Sequence, residues 1–216
     1  MNFDVILDNA SLLASATLNT IIVAGATIVL SIALAVPLAV MRDAPFGPLR
    51  WLAAVFSWSM RAMPALSLLF LAYYGLPAFG IYLDPMPAAI TGLTVSAAGY
   101  NMEYIRAGLR AVPQTQYEAS RALGIPFLTA LRRLILPQAM RVILPPLVSN
   151  LTLVLKGSSL ASLVAVSELT GESMALISYT YRPIEILFVV ASIYLGLNGL
   201  LLLGQKAVER HYRLPA

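Results

Sequence analysis

Long apolar runs, separated by short polar punctuation, set the pattern of this chain. No charged residue occurs from Asn9 to Met41. A helix needs about 20 apolar residues to cross the hydrocarbon of a bilayer, so a first span is predicted over 18–41, with Pro37 tolerated near its end. Similar runs predict further spans over 51–74, 88–105, 142–166 and 186–205. Turn-forming stretches separate them: Arg42 to Pro48, Gly75 to Pro87 with Asp84, and the polar segment from Glu168 to Pro183. The 88–105 run is crowded with Ala89, Gly92, Ser96, Ala97, Ala98 and Gly99. Small residues let helix backbones approach closely in lipid, so this span is expected inside the bundle. The expectation is an all-α polytopic membrane protein with five transmembrane helices, forming one domain over 1–216.

Between the third and fourth runs lies a stretch too polar for lipid, 112–137, VPQTQYEASRALGIPFLTALRRLILP. Pro113 suits a first helical turn, where its missing N–H has no partner to lose. Gly124-Ile125-Pro126 ends that helix and restarts the chain. Thr129, Arg132 and Arg133 then give the second helix a basic face. A helix-turn-helix lying between membrane spans suits the docking of a partner at the membrane surface. The competing reading is an amphipathic helix held by anionic lipid.

Composition supports the membrane reading: 59% of the 216 residues are hydrophobic, 11% are charged, and the mean hydropathy is +0.82. The excess of 14 Lys+Arg over 10 Asp+Glu is explained by placement. Arg42 and Arg50 lie in the first loop, Arg106, Arg110, Arg121, Arg132, Arg133 and Arg141 around 112–137, and Lys206, Arg210 and Arg213 in the tail. The opposite loops hold Arg182 among Asp4, Asp8, Asp84, Glu168 and Glu172. Basic loops stay cytoplasmic, so the N-terminus is expected outside, and the C-terminus and the 112–137 segment inside. The charge is a topology signal, and no nucleic-acid partner is expected. MNFDVILDNA lacks a basic leader and a small-residue cleavage site, so it does not read as a cleaved signal peptide. Cysteine is absent and His211 sits in the tail, so neither a disulfide framework nor a metal site is expected.

Glu118-Ala119-Ser120, three residues, Gly124, nine residues and Leu134-Ile135-Leu136-Pro137 resemble the "EAA" loop of bacterial ABC importer permeases. Lys156-Gly157-Ser158-Ser159-Leu160 resembles the "KDTSL" element of the polar amino-acid uptake branch. Arg61-Ala62-Met63-Pro64 with Tyr73-Tyr74-Gly75 resembles its "RGTP…YYG", and Leu136-Pro137-Gln138-Ala139 its "LPQA". The likeness runs in order over nearly the whole chain. Thr115 before Gln116, Ser120 as third loop residue and Gly157 in place of an Asp depart from the pattern. The resemblance implies an inner-membrane, multi-pass permease. Gln116, Glu118, Ala119, Ser120, Gly124, Leu136 and Pro137 would couple it to a separate ATP-binding subunit, present twice and holding ATP and Mg. It also implies a second permease, identical or sister, and an extracytoplasmic solute-binding protein. The solute would be a polar amino acid; an opine or a compatible solute is the alternative.

Chemistry within the chain is expected to be transport rather than catalysis. A phosphate-cradling loop needs Gly-Lys-Ser/Thr, whereas Lys156 follows Leu155 and Lys206 follows Gln205. No cofactor is expected here, and an ATP-driven cycle needs another chain. Lys156 with Ser158 and Ser159 has three readings: solute path, an internal pair with Glu103, or an intramembrane nucleophile pair, the last disfavoured because residues two and three apart diverge on a helix more often than not. Arg61 either attracts a solute carboxylate or snorkels to headgroups. Tyr100 and Glu103 line a cavity or anchor at an interface, and Asn150 suits an interhelical hydrogen bond. A passive channel is the remaining alternative, and it has no use for a docking loop.

Overall fold

The computed structural model describes residues 4–212, with side chains to residue 210. The His211 side chain and Arg213, read above as part of the tail, lie outside it. Every regular element among the described residues is helical. A short α1 (Asp4–Asp8) leads into α2 (Ala10–Arg42), which starts ahead of the expected 18. Nothing between Asn9 and residue 18 breaks a helix, so apolarity marks the part suited to lipid and not where the helix begins.

The expected span over 51–74 is not one straight helix. Helix α3 (Gly47–Ala62) stops at Met63, which is extended at φ −89°, ψ 140°, and α4 (Ala65–Phe70) resumes at an angle of 109°. Pro64 is the cause: its ring drives the preceding residue out of the α region and it has no N–H to continue the ladder. The chain passes through a π turn (Leu71–Gly75) and a 3₁₀ turn (Leu76–Phe79), which Gly80 ends at φ 77°.

Helix α5 (Pro85–Ala111) runs through the middle of the molecule and packs on α2, α3 and α4. Its buried face carries Ala89, Gly92, Ser96, Ala97, Ala98 and Gly99, the small residues singled out in the sequence. A Cβ on Gly92 would stand 2.5 Å from the Cα of Leu69, so α4 and α5 touch backbone to backbone there.

Helix α6 (Gln114–Ala122) follows α5 across Val112 and Pro113. Helix α7 (Phe127–Ala130), a π turn (Leu131–Ile135) and α8 (Leu136–Gly157) then run on without a break. The second half of the polar segment is thus the first part of one long helical stretch, Phe127–Val164. It is not a separate helix before a span over 142–166. Pro137 explains the π turn: it cannot donate one turn back, and widening the helix absorbs the lost bond. After a 3₁₀ segment (Ser158–Val164) come α9 (Leu169–Thr180) and α10 (Pro183–Tyr212).

By length and composition α2, Phe127–Val164 and Pro183–Arg210 are apolar enough to cross a membrane, and the bent α3–α4 pair makes a fourth when its two halves are counted as one broken span rather than a re-entrant loop. Helix α5 lies outside that set. It ends in Glu103, Arg106 and Arg110 and carries many small or polar residues, because its neighbours, rather than lipid, cover it.

Replacing Gly92 by Ala forces Leu69 backbone to move, an overpacking cost of about 2 kcal/mol. The unfolding midpoint in detergent is expected to fall by roughly 4–8 °C. Gly196→Ala, where a Cβ meets nothing within 4 Å, serves as the control. Equal midpoints for the two variants would contradict the close approach of α4 and α5.

Candidate docking surface and solute path

The α6–α7 pair closes on itself through a glycine cap. Gly124 takes φ +66°, where a glycine pays no Cβ penalty. Its N–H donates to the Arg121 carbonyl (3.0 Å), and the Ile125 N–H donates to the Ser120 carbonyl (3.0 Å). That is the double bond pattern of a Schellman end. Ser120 is buried and its hydroxyl donates to the Tyr117 carbonyl (2.8 Å). Gln116, Glu118 and Ala119 are exposed. Glu118 and Arg121 stay unpaired with each other, although their spacing allows a pair. Around the turn Leu123, Phe127 and Leu128 are exposed by 76%, 64% and 69%, beside Arg121, Arg132 and Arg133. Apolar side chains presented in this way on a polar, basic segment fit a protein partner better than water. Leu136 is exposed, and Pro137 is partly buried at the start of α8.

This surface is tied firmly to the bundle. The Tyr117 hydroxyl donates to the Leu109 carbonyl (3.0 Å), and burial pushes the Tyr117 phenol above its ordinary pKa. Beneath it Val112, Ile135, Ala139, Ile143 and Leu147 form a core with Tyr117 and Leu131 against it. A cluster of ions holds the same end of α5 to the α2–α3 loop. Arg110 and Arg106 both reach Asp43, at 2.6 and 2.8 Å, and Arg106 also pairs with Glu103 at 3.1 Å. Partial burial pushes the Asp43 carboxyl up. The hydrogen bonds and charges of Arg110 and Arg106 outweigh that and hold it below the usual carboxylate range.

A cavity of about 470 Å³ opens where Pro64 breaks the α3–α4 pair, facing α5 and α8. Arg61, Tyr100 and Asn150 line it together with Ser96, Tyr104 and Gly157. The Tyr100 hydroxyl donates to the Arg61 carbonyl (3.2 Å), satisfying a group that the helix break leaves open. Asn150 donates to Asn101 Oδ1 (2.8 Å) and the Ala97 carbonyl (3.3 Å), and Asn101 donates to Ser31 (3.1 Å). This buried chain links α8, α5 and α2.

Four other candidates lie elsewhere. Glu103 accepts from Ser57 (2.9 Å) and Arg106 and has Arg42 at 3.9 Å. The suggested pair with Lys156 is therefore replaced by partners one turn or one helix away. Lys156 is exposed near the C-terminal end of α8. Ser158 is fully buried and donates to the Leu155 carbonyl (2.7 Å), and Ser159 donates to the Lys156 carbonyl (2.8 Å). Both hydroxyls satisfy the helix end, which is also why they form no nucleophile pair.

Sequence reasoning passed over two polar centres. One is the Asp43 cluster, read only as loop charge. The other is Glu168, placed in a polar loop but 0% exposed. Its carboxylate caps α9 by accepting from the Gly171 (2.7 Å) and Thr170 (3.0 Å) N–H groups, and it also accepts from Tyr194 (3.1 Å) and Thr20 (3.5 Å). Burial pushes its carboxyl above the usual range, against the pull of those donors. The available signal was a Glu just ahead of a helical stretch.

Comparison with known proteins shows what the chain as a whole is similar to. The family described as "Binding-protein-dependent transport system inner membrane component" matches residues 27–214. A protein of Bacillus subtilis (strain 168) described as "Probable glutamine ABC transporter permease protein" is 32% identical over 98% of this chain and 100% of its own. The nopaline transport system permease protein of Agrobacterium fabrum (strain C58 / ATCC 33970) is 31% identical over 99% of this chain and 94% of its own. Among solved structures, "Crystal structure of an amino acid ABC transporter with histidines" superposes with a TM-score of 0.87 at 28% identity, covering 98% of this chain and 99% of that one.

Asp43→Asn removes the shared acceptor of Arg106 and Arg110 and is expected to cost about 1 kcal/mol, or roughly 2–4 °C of the detergent unfolding midpoint. Because the folded Asp43 binds its proton less readily than the unfolded one, its contribution is present above the ordinary carboxylate pKa and is lost as pH falls through the depressed value. Midpoints measured against pH should differ between the two proteins at pH 7 and converge below about pH 4. A gap independent of pH would assign the effect to packing.

Proposed function

We infer the function from one premise: the chain belongs to the family of binding-protein-dependent transport system inner membrane components. It is a multi-pass inner-membrane permease subunit of an ABC importer of the amino-acid type. The ATPase of such a system is a separate chain. On that basis the α6–α7 pair is the seat of the ATP-binding subunit, and the cavity at the α3–α4 break is part of the solute path. The observation that carries this reading is the exposed apolar tip of Leu123, Phe127 and Leu128 on a rigidly capped, polar helix pair.

The connections between the two places suggest how coupling works. From Phe127 the helical stretch runs on to Asn150 and Gly157 at the cavity, about 35 Å to Asn150 at 1.5 Å per residue. Helix α6 is bound through Tyr117 to α5, which carries Tyr100 and Tyr104 to the same cavity. A displacement of α6–α7 is therefore delivered to the cavity along α5 and α8 together. When the nucleotide subunits close on ATP, the two helices move as levers and access to the path alternates. Gln116, Glu118 and Ala119 meet the partner directly, Ser120 and Gly124 shape the turn, and Leu136 and Pro137 mark where the lever enters the bundle.

The five-span arrangement has its N-terminus outside and its C-terminus inside, with α5 as the third, internally covered span. It pairs with a second permease, identical or sister, docks two ATP-binding subunits holding ATP and Mg, and receives solute from an extracytoplasmic binding protein. The solute is a polar amino acid or a similar small molecule. The nopaline relative keeps an opine as the second reading.

Leu123→Asp with Phe127→Asp is expected to reduce co-purification of the ATP-binding subunit at least tenfold, while the permease still elutes as a folded oligomer. Undiminished recovery of that subunit would move the docking surface elsewhere. For topology, a cytoplasmic-only fluorescent reporter fused after residue 216 should light up, and an alkaline phosphatase fusion there should stay inactive. The reverse pattern overturns the orientation.

A further inference from the structure

The cavity at the α3–α4 break has a mostly apolar lining with a few polar side chains, and its charge is one-sided. Among the described residues that line it, Arg61 is the one charged side chain, and no aspartate or glutamate takes part. The acidic residue next along α5, Glu103, is held by Ser57, Arg106 and Arg42. Asn150 spends its amide nitrogen on Asn101 and Ala97, which leaves its carbonyl oxygen as an acceptor at the cavity. Tyr104 and Ser96 add hydroxyls.

We propose that this cavity takes zwitterionic or acidic solutes of amino-acid size and rejects basic ones, and that Gly157 and Leu153 are the positions that set this preference. The proposal rests on the cavity being the solute path. The Arg61 guanidinium, exposed at this open cavity, attracts a carboxylate and offers it two parallel donors. The α-ammonium of a zwitterion is met by neutral acceptors, the Asn150 oxygen and the hydroxyls. A side-chain cation has no counter-charge to meet and adds to the field of Arg61. A side-chain carboxylate lowers the net charge of the filled cavity.

Position 157 has room for a carboxylate that this chain lacks. Gly157 lines the cavity at φ −69°, a conformation open to any residue, and a Cβ there would meet nothing within 4 Å. An aspartate would therefore fit without moving a neighbour. Leu153, one turn earlier on the same face of α8, also lines the cavity and is 62% exposed. A glutamate there reaches the same space from an independent position.

The test uses the permease purified with its ATP-binding subunit in nanodiscs, without the solute-binding protein, so that only the membrane site selects. Equilibrium binding of radiolabelled L-glutamine, L-glutamate and L-lysine is measured for the wild type, Gly157→Asp, Leu153→Glu and Arg61→Gln. The wild type is expected to hold glutamine or glutamate at least tenfold more tightly than lysine. Gly157→Asp and Leu153→Glu should each shift that ratio tenfold or more toward lysine, and Arg61→Gln should weaken glutamate most. Lysine bound as tightly as the others, no shift with either carboxylate, or binding of none of the three overturns the proposal. If the ATP-binding subunit co-purifies and hydrolyses ATP in that case, the importer reading stands. If no such subunit co-purifies, both fall together.

Discussion

A bundle in lipid gains little from the hydrophobic effect between its own helices, so contact must come from close packing and from satisfied polar groups. Here that constraint falls on α5. Its glycines, alanines and serines let α4 approach to backbone contact at Gly92, while Gly108 seats against Ile143 and the Ala139 carbonyl of α8. With α2, α3, α4 and α8 gathered on one central helix, the outer helices can stay apolar on the side that faces lipid. Leu195, Leu200 and Leu203 of α10 show this with exposures of 75%, 68% and 63%.

Polar groups inside such a bundle need partners, and each centre found here has them. The Asn150–Asn101–Ser31 chain crosses three helices. Glu168 joins α2, α9 and α10 by accepting from backbone and side-chain donors at once. The Asp43 cluster locks the end of α5 to the α2–α3 loop. Removing one member of the two buried sets leaves the others buried without a partner, whereas the Asp43 cluster, with Arg110 61% exposed, keeps access to water. The two buried sets therefore hold α2, α5 and α8, and α2, α9 and α10, in fixed register.

The cavity exists because one proline breaks a helical run. Pro64 sends α4 off at 109° to α3, and the break frees backbone around Arg61 that Tyr100 then holds. Irregular backbone at membrane depth is tolerated where it is enclosed by protein or lines a polar space. The same residue that interrupts the helix thus opens the cavity.

The amino-acid sequence by itself determined the class of molecule and the helical turn at Gly124. Apolar length dictated membrane helices, the small residues of 88–105 marked the central helix, and Gly124 with its neighbours marked the turn, since only local backbone chemistry is needed for each. Pairings between distant residues were decided only in three dimensions. Glu103 lies within reach of Lys156 as far as sequence can tell, yet folding gives it to Ser57 and Arg106. Ser158 and Ser159 look free for a solute, but their hydroxyls return to the helix end. Glu168 reads as a loop charge and is a buried cap. A side chain's partner depends on which helices meet and at what height. That is a property of packing, to which no local pattern of residues has access.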